Sequence, residues 1–293
     1  MKESIIYTIK KVVTFGVLYA VSAVLGEVLV IGVLAGMGYD PLQGEMPEGP
    51  IGELLFYYGF VIFALVTIAY WRLVEKKKLK EIGFSGKPLE YFAGALLAVL
   101  LLGIIMGAAC FFDAITFHGF SVNVDLGSLL LWIVAFGIQG ATEEIMCRGF
   151  LLNSLKCKVS VPVAIVISST AFAFPHLSSL LEADLVYAIV GIINLYLISI
   201  IFSIFVLWRS NIWSACGLHS VWNFILYVIM GLSLSGSESG AKGVILFEVN
   251  EASILNGAEY GIEASVITTV VLAALALIMV KRWKGKCDNN GIS

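Results

Sequence analysis

Charge is what this sequence has least of. Asp, Glu, Lys and Arg make up 13% of its 293 residues, against about 25% in an ordinary soluble domain. So few charges cannot cover a water-exposed surface, and 59% of the residues are hydrophobic. Cysteine offers no framework either. Cys110, Cys147, Cys157, Cys216 and Cys287 are odd in number and scattered, without CxxC or zinc-finger spacing, which excludes a disulfide scaffold. Also missing are a glycine-rich phosphate loop, an HExxH helix, an internal repeat and a low-complexity tail. Histidine occurs only at 118, 176 and 219, so any imidazole chemistry must come from those three.

What is present is a succession of apolar stretches, at 12–37, 51–71, 89–112, 126–155, 162–181, 185–208, 212–232 and 264–280. About 20 apolar residues are enough for a helix to cross a bilayer. The expected fold is therefore all-α, a polytopic membrane helical bundle of about eight transmembrane helices forming a single domain over 1–293. The first stretch is longer than the roughly 7–15-residue apolar region of a signal peptide and has no clear cleavage site. It is read as a retained helix.

Basic residues fall in alternate connections. Lys2, Lys10 and Lys11 precede the first stretch, Arg72 to Lys87 follow the second, Lys156 and Lys158 follow the fourth, Arg209 separates the sixth from the seventh, and Lys281, Arg282, Lys284 and Lys286 follow the last. Lys242 is the exception on the other side. The positive-inside rule then places both termini in the cytoplasm, with Trp71, Trp208 and Trp283 beside the basic groups as an aromatic belt requires. Such basic runs are cytoplasmic anchors rather than nucleic-acid sites. On the outer side, 113–125 is expected to be a loop with an uninvolved His118, and 244–249 a short strand or interfacial patch. Glu27, inside the first stretch, is expected near the outer interface or paired with another helix.

Ionisable groups at bilayer depth are costly and usually face a bundle interior or a water-filled cavity. The fourth span carries Glu143, Glu144 and Arg148. Glu144 and Arg148 are four apart and can pair along one helix face, whereas Glu143 points about 100° away and is the freer acid. Cys147 between them is a packing residue. The fifth span carries Phe172 and His176 on one face, with Pro175 weakening the helix beside the histidine. The seventh carries His219 and Asn223, again four apart. At about 1.5 Å per residue, Glu143 and His176 lie roughly 20 Å from the inner ends of their helices and His219 about 15 Å, so the groups can meet.

This set suits water-driven acyl hydrolysis. Glu143 can act as general base on a water that His176 helps to hold, and His219 with the Asn223 amide can donate to the developing oxyanion. In the alternative, Glu143, His176 and His219 ligate zinc. No metal or other cofactor is the favoured reading.

Three ordered motifs, EExxxR at Glu143 to Arg148, FxxxH at Phe172 to His176 and HxxxN/D at His219 to Asn223, resemble the CAAX prenyl protease and bacteriocin-processing (CPBP, or Abi) family of intramembrane endopeptidases. The resemblance covers about 127–230, the expected catalytic core. It implies catalysis by Glu143 with His176, support from Glu144, an oxyanion pocket from His219 and Asn223, and structural roles for Arg148 and Phe172. The acidic outer segment around Gly257 to Gly261 also looks like bacterial members, which makes prenyl processing the less expected substrate class; the expected location is the bacterial plasma membrane, as a multi-pass protein.

The expected function is hydrolysis of a peptide bond in a membrane-associated or lipidated protein or peptide, of glutamic rather than metal-dependent type. The site is expected to open toward the cytoplasmic leaflet. Two other classes fit less well. One is a non-catalytic scaffold or bacteriocin-immunity protein of the same fold. The other is a transporter using Glu and His as a proton relay, against which stands the lack of repeat symmetry.

Overall fold

In a computed structural model the described residues are 2–237 and 243–289, with side chains to 283. The chain is nearly all helix. Among the described residues, seven helices are long and apolar enough to cross a membrane: α1 (Lys2–Gly36), α2 (Ile51–Val74), α3 (Glu90–Phe111), α4 (Leu126–Leu155), α5 (Val161–Glu182), α6 (Leu185–Arg209) and α8 (Val266–Asn289, its candidate span ending at Trp283). Their composition explains them, because a spanning segment must satisfy every backbone group internally. The remaining expected span, 212–232, is a shorter helix. It is α7 (Trp213–Phe224), prolonged by a π-helical turn at Ile225–Ile229. Nine of its twelve α-helical residues are buried, so α7 sits inside the bundle rather than against lipid.

The basic connections gather at one end. Lys11 of α1 pairs with Glu75 just beyond α2, and the Ser4 hydroxyl donates to the Lys158 carbonyl. Ile212 N–H donates to the Gly83 carbonyl at 3.2 Å, and Arg209 meets Glu90 at 3.2 Å. Lys77 lies 4.3 Å over the ring of Trp71. The lysine and arginine excess marks this end as cytoplasmic. Lys242, the exception, lies outside the described residues.

The opposite end corrects one expectation. The 113–125 segment is not simply loop: β1 (Ile115–Phe120) pairs antiparallel with β2 (Ile245–Val249) around an irregularity at Phe117/Gly119. The strand expected at 244–249 thus finds its partner in a segment read as loop. His118 Nε2 lies 2.7 Å from Glu248 on this exposed ribbon, far in the fold from the polar helices. Glu27 is exposed on α1 and has no ion pair among the described residues.

α7 is held by close backbone approach. A methyl group on Gly217 would fall 1.9 Å from the Tyr91 carbonyl oxygen of α3, and one on Gly94 1.9 Å from that of Ser214. On the other flank, a methyl on Gly140 of α4 would lie 2.7 Å from the Ser220 nitrogen. Glycine at these three positions lets α3, α7 and α4 lie nearly backbone to backbone, the way small residues act in membrane bundles. Both His219 and Asn223 ride on the helix so clamped.

Two outcomes follow for the fold. Gly217→Ala should lower stability by about 1–3 kcal/mol through overpacking, read as the thermal unfolding midpoint in detergent; an unchanged midpoint would contradict the close crossing. Burial tends to raise the Glu75 carboxyl, but the Lys11 and Tyr70 hydrogen bonds and the nearby Lys77 outweigh it and hold the group below the usual range. Its contribution should therefore be complete above about pH 5 and fade as pH falls through the lowered folded value. Glu75→Gln should flatten that acid limb of the unfolding curve.

Candidate active site

The site is built where α4 changes character. Its α-helical part ends at Glu144 and residues Ile145–Leu152 continue as a π-helix, a geometry that recurs at functional positions. Glu144 and Arg148 are fully buried, and Arg148 Nη1 lies 2.9 Å from Glu144 Oε1. Arg148 Nη2 donates to the Ser199 carbonyl at 3.2 Å and to the Ser199 hydroxyl, which in turn donates to Ser169 Oγ at 2.8 Å. The guanidinium carbon sits 4.6 Å from the Phe172 ring centre and 5.0 Å from that of Phe202. A buried ion pair offsets its desolvation cost only when such additional partners exist. Here they come from α5 and α6.

Glu144 also receives His219. The imidazole Nδ1 lies 3.0 Å from Glu144 Oε1 while Nε2 lies 4.0 Å from Glu143 Oε2, so one histidine stands between the two carboxylates. Its ring stacks on Phe202, centroids 5.1 Å apart at 16°. With Nδ1–H donated to Glu144, Nε2 is the nitrogen presented toward Glu143.

Glu143 is turned the other way. Gln139, one helical turn earlier, donates its amide to Glu143 Oε1, and Asn223 Nδ2 donates to Gln139 Oε1 at 2.9 Å. This chain from α7 to α4 fixes the carboxylate, and one Asn223 N–H remains beyond it. Gln139 is absent from the sequence reading, although its place four residues before Glu143 in an apolar span was the available signal.

Pro175 breaks α5 as expected, turning Phe174–His176 into a single 3₁₀ turn. The His176 Nδ1–H donates to the Phe172 carbonyl at 3.1 Å, which leaves Nε2 of the neutral ring as an acceptor. Phe172 lies between the two histidines, its ring 5.3 Å from His176 and 5.7 Å from His219.

Glu143, Gln139, His176 and Asn223 all face one cavity of about 670 Å³. Its apolar wall includes Phe15, Tyr19, Tyr57, Phe60 and Phe63. His219, 5% exposed, stands behind Glu143 and is not on that wall. The cavity corrects the expected direction of access. Its lining extends through Met46, Glu53, Ser178 and Ser235, all at the end opposite the basic connections. At the end with the basic connections, Trp71, Phe150, Leu151 and Leu155 are packed, each 0–1% exposed, and none of them lines the cavity.

Among the described residues no three His, Cys, Asp or Glu side chains converge as ligands. His219 gives Nδ1 to Glu144 and His176 gives Nδ1 to a backbone carbonyl, so Nε2 is the nitrogen each ring keeps for other partners. Cys147 is buried with its carbonyl accepting from Ser168, in keeping with a packing role.

These features define a multi-pass membrane protein with a glutamate and histidine site sunk in its helices. Residues 125–225 match the family model described as Type II CAAX prenyl endopeptidase Rce1-like. The match contains all three motifs and agrees with the resemblance read from them. No curated protein matches the chain. The likeness supports a CAAX-type intramembrane protease in general.

The buried pair should dominate stability here. Arg148→Met leaves Glu144 uncompensated and should cost about 3–5 kcal/mol, while adding Glu144→Leu should recover much of the loss. Equal unfolding midpoints for the single and double variants would contradict this account.

Proposed function

We propose that this chain is an intramembrane endopeptidase of the plasma membrane of a bacterium, acting on a membrane-associated or lipidated protein or peptide without a metal step. The observation that supports the reading is that Glu143, His176 and Asn223, from three helices, line a single cavity.

The chemistry follows from the roles those groups can take. A water bound between Glu143 and His176 gives a proton to the Glu143 carboxylate as its oxygen attacks the scissile carbonyl carbon. His176 Nε2, its other nitrogen engaged by the Phe172 carbonyl, accepts a hydrogen bond from that water and orients it. As the carbonyl oxygen becomes an oxyanion, the free N–H of Asn223 is the donor at hand on the cavity wall, with His219 behind Glu143 as support. The proton then passes from Glu143 to the departing amine as the carbon–nitrogen bond breaks. Glu144 keeps His219 in register and, with Arg148, supplies fixed charge behind the reacting groups. The aromatic wall excludes bulk water, which strengthens each of these interactions.

Comparison of peptide termini in membranes from wild-type and Glu143→Gln cells tests the proposal. Termini that depend on the wild-type protein should fall by about 10²- to 10⁴-fold with Glu143→Gln or His176→Ala, and they should persist when chelator is added to purified membranes. Wild-type levels of those termini in Glu143→Gln cells would overturn the reading and favour the scaffold.

A further inference from the structure

The cavity holds a second carboxylate that the hydrolytic chemistry does not use. Glu53 lies two residues into α2, at the outer end of the lining, where the Tyr227 hydroxyl donates to it. No lysine or arginine is among the described residues lining this cavity, and His176 is the lining side chain able to take positive charge. From Glu53 the wall continues inward as Phe56, Tyr57, Phe60 and Phe63. These run along the same helix to the level of Glu143.

Such a lining selects by charge as well as by hydrophobicity. A segment ending in a free carboxylate would bring a third anion into a cavity with two glutamates and no fixed cation, and that repulsion is strong where water is scarce. A cationic side chain gains instead, because a charge-assisted hydrogen bond to a carboxylate is about twice as strong as a neutral one. The outer end of the lining is built from the outer connections, so the group that reaches Glu53 first arrives from the non-cytoplasmic side.

We infer that Glu53 is a specificity residue. It receives a lysine or arginine side chain of an extracytoplasmic peptide segment, whose neighbouring apolar residues lie on the aromatic wall leading to Glu143. The inference rests on the endopeptidase reading of the same cavity and names the substrate class it takes: an internal cationic, apolar segment rather than a carboxylate terminus.

Binding measured apart from cleavage tests this. The probes are acetylated, amidated Phe-Leu-Lys-Phe-Leu and the same peptide with norleucine or glutamate in place of lysine. Each is titrated against the full chain in nanodiscs as wild type, Glu53→Gln and Glu143→Gln. The lysine peptide should bind wild type about tenfold more tightly than the norleucine peptide, equivalent to about 1.4 kcal/mol. That preference should vanish in Glu53→Gln and survive in Glu143→Gln. Equal binding of the three peptides to wild type, or a preference unchanged in Glu53→Gln, would overturn the inference.

Sidedness has its own readout. A Met46→Cys chain in intact cells should react with a membrane-impermeant maleimide and be protected by the lysine peptide. Labelling only after cells are opened would overturn outer access. Lysine preference without any Glu143-dependent cleavage would uphold this site while removing the endopeptidase reading, and cleavage without lysine preference would do the reverse.

Discussion

Everything around the site depends on one buried ion pair. Arg148 and Glu144 are both fully inside the bundle, where each ion stripped of water costs several kcal/mol unless other polar groups replace the lost hydration. Those replacements come from three other helices: Ser199 from α6, Ser169 from α5 through Ser199, and His219 from α7. The pair thus gains these partners only when α4, α5, α6 and α7 are all in place, and Glu144 Oε2 and Arg148 Nε still have none among the described residues. Packing of these four helices and neutralisation of the charge are a single event.

The same arrangement separates two adjacent carboxylates into different environments. Glu144 is saturated on one oxygen by Arg148 and His219, while Glu143 looks into the cavity with Gln139 at its side. Neighbouring positions on a helix differ by about 100°, and the clamp on α7 by Gly94, Gly140 and Gly217 fixes where that difference is felt. A glycine contact far from any reacting atom therefore sets the distance from His219 to both acids.

The spans were legible because membrane crossing demands apolar length, and that demand is visible in any window. Glu143, Glu144, Arg148, His176, His219 and Asn223 were legible for the opposite reason, since polar groups stand out where none are tolerated cheaply. Gln139 fell to the same logic but was passed over in favour of its charged neighbours. Ser169 and Ser199 carry no such signal, because a serine in a membrane helix can bond to its own backbone, as Ser203 does to the Ser199 carbonyl at 2.9 Å. The pairing of β1 with β2 joins segments more than a hundred residues apart, and neither has a neighbouring strand in sequence to announce it. Counting residues from the basic ends located the site in depth but not the direction of its opening. That depended on which end Trp71 and Phe150 fill.

The π-helical stretch at Ile145–Leu152 carries a further implication. Its hydrogen bonds skip one residue more than those of an α-helix, so it amounts to a one-residue insertion absorbed without breaking the helix. The helical phase downstream of Glu144 is thereby offset from the phase upstream. The face that carries Gln139 and Glu143 to the cavity and the face that carries Phe150 and Leu155 to the packed cytoplasmic end are consequently set independently, and reading frame along the helix becomes a structural variable in its own right.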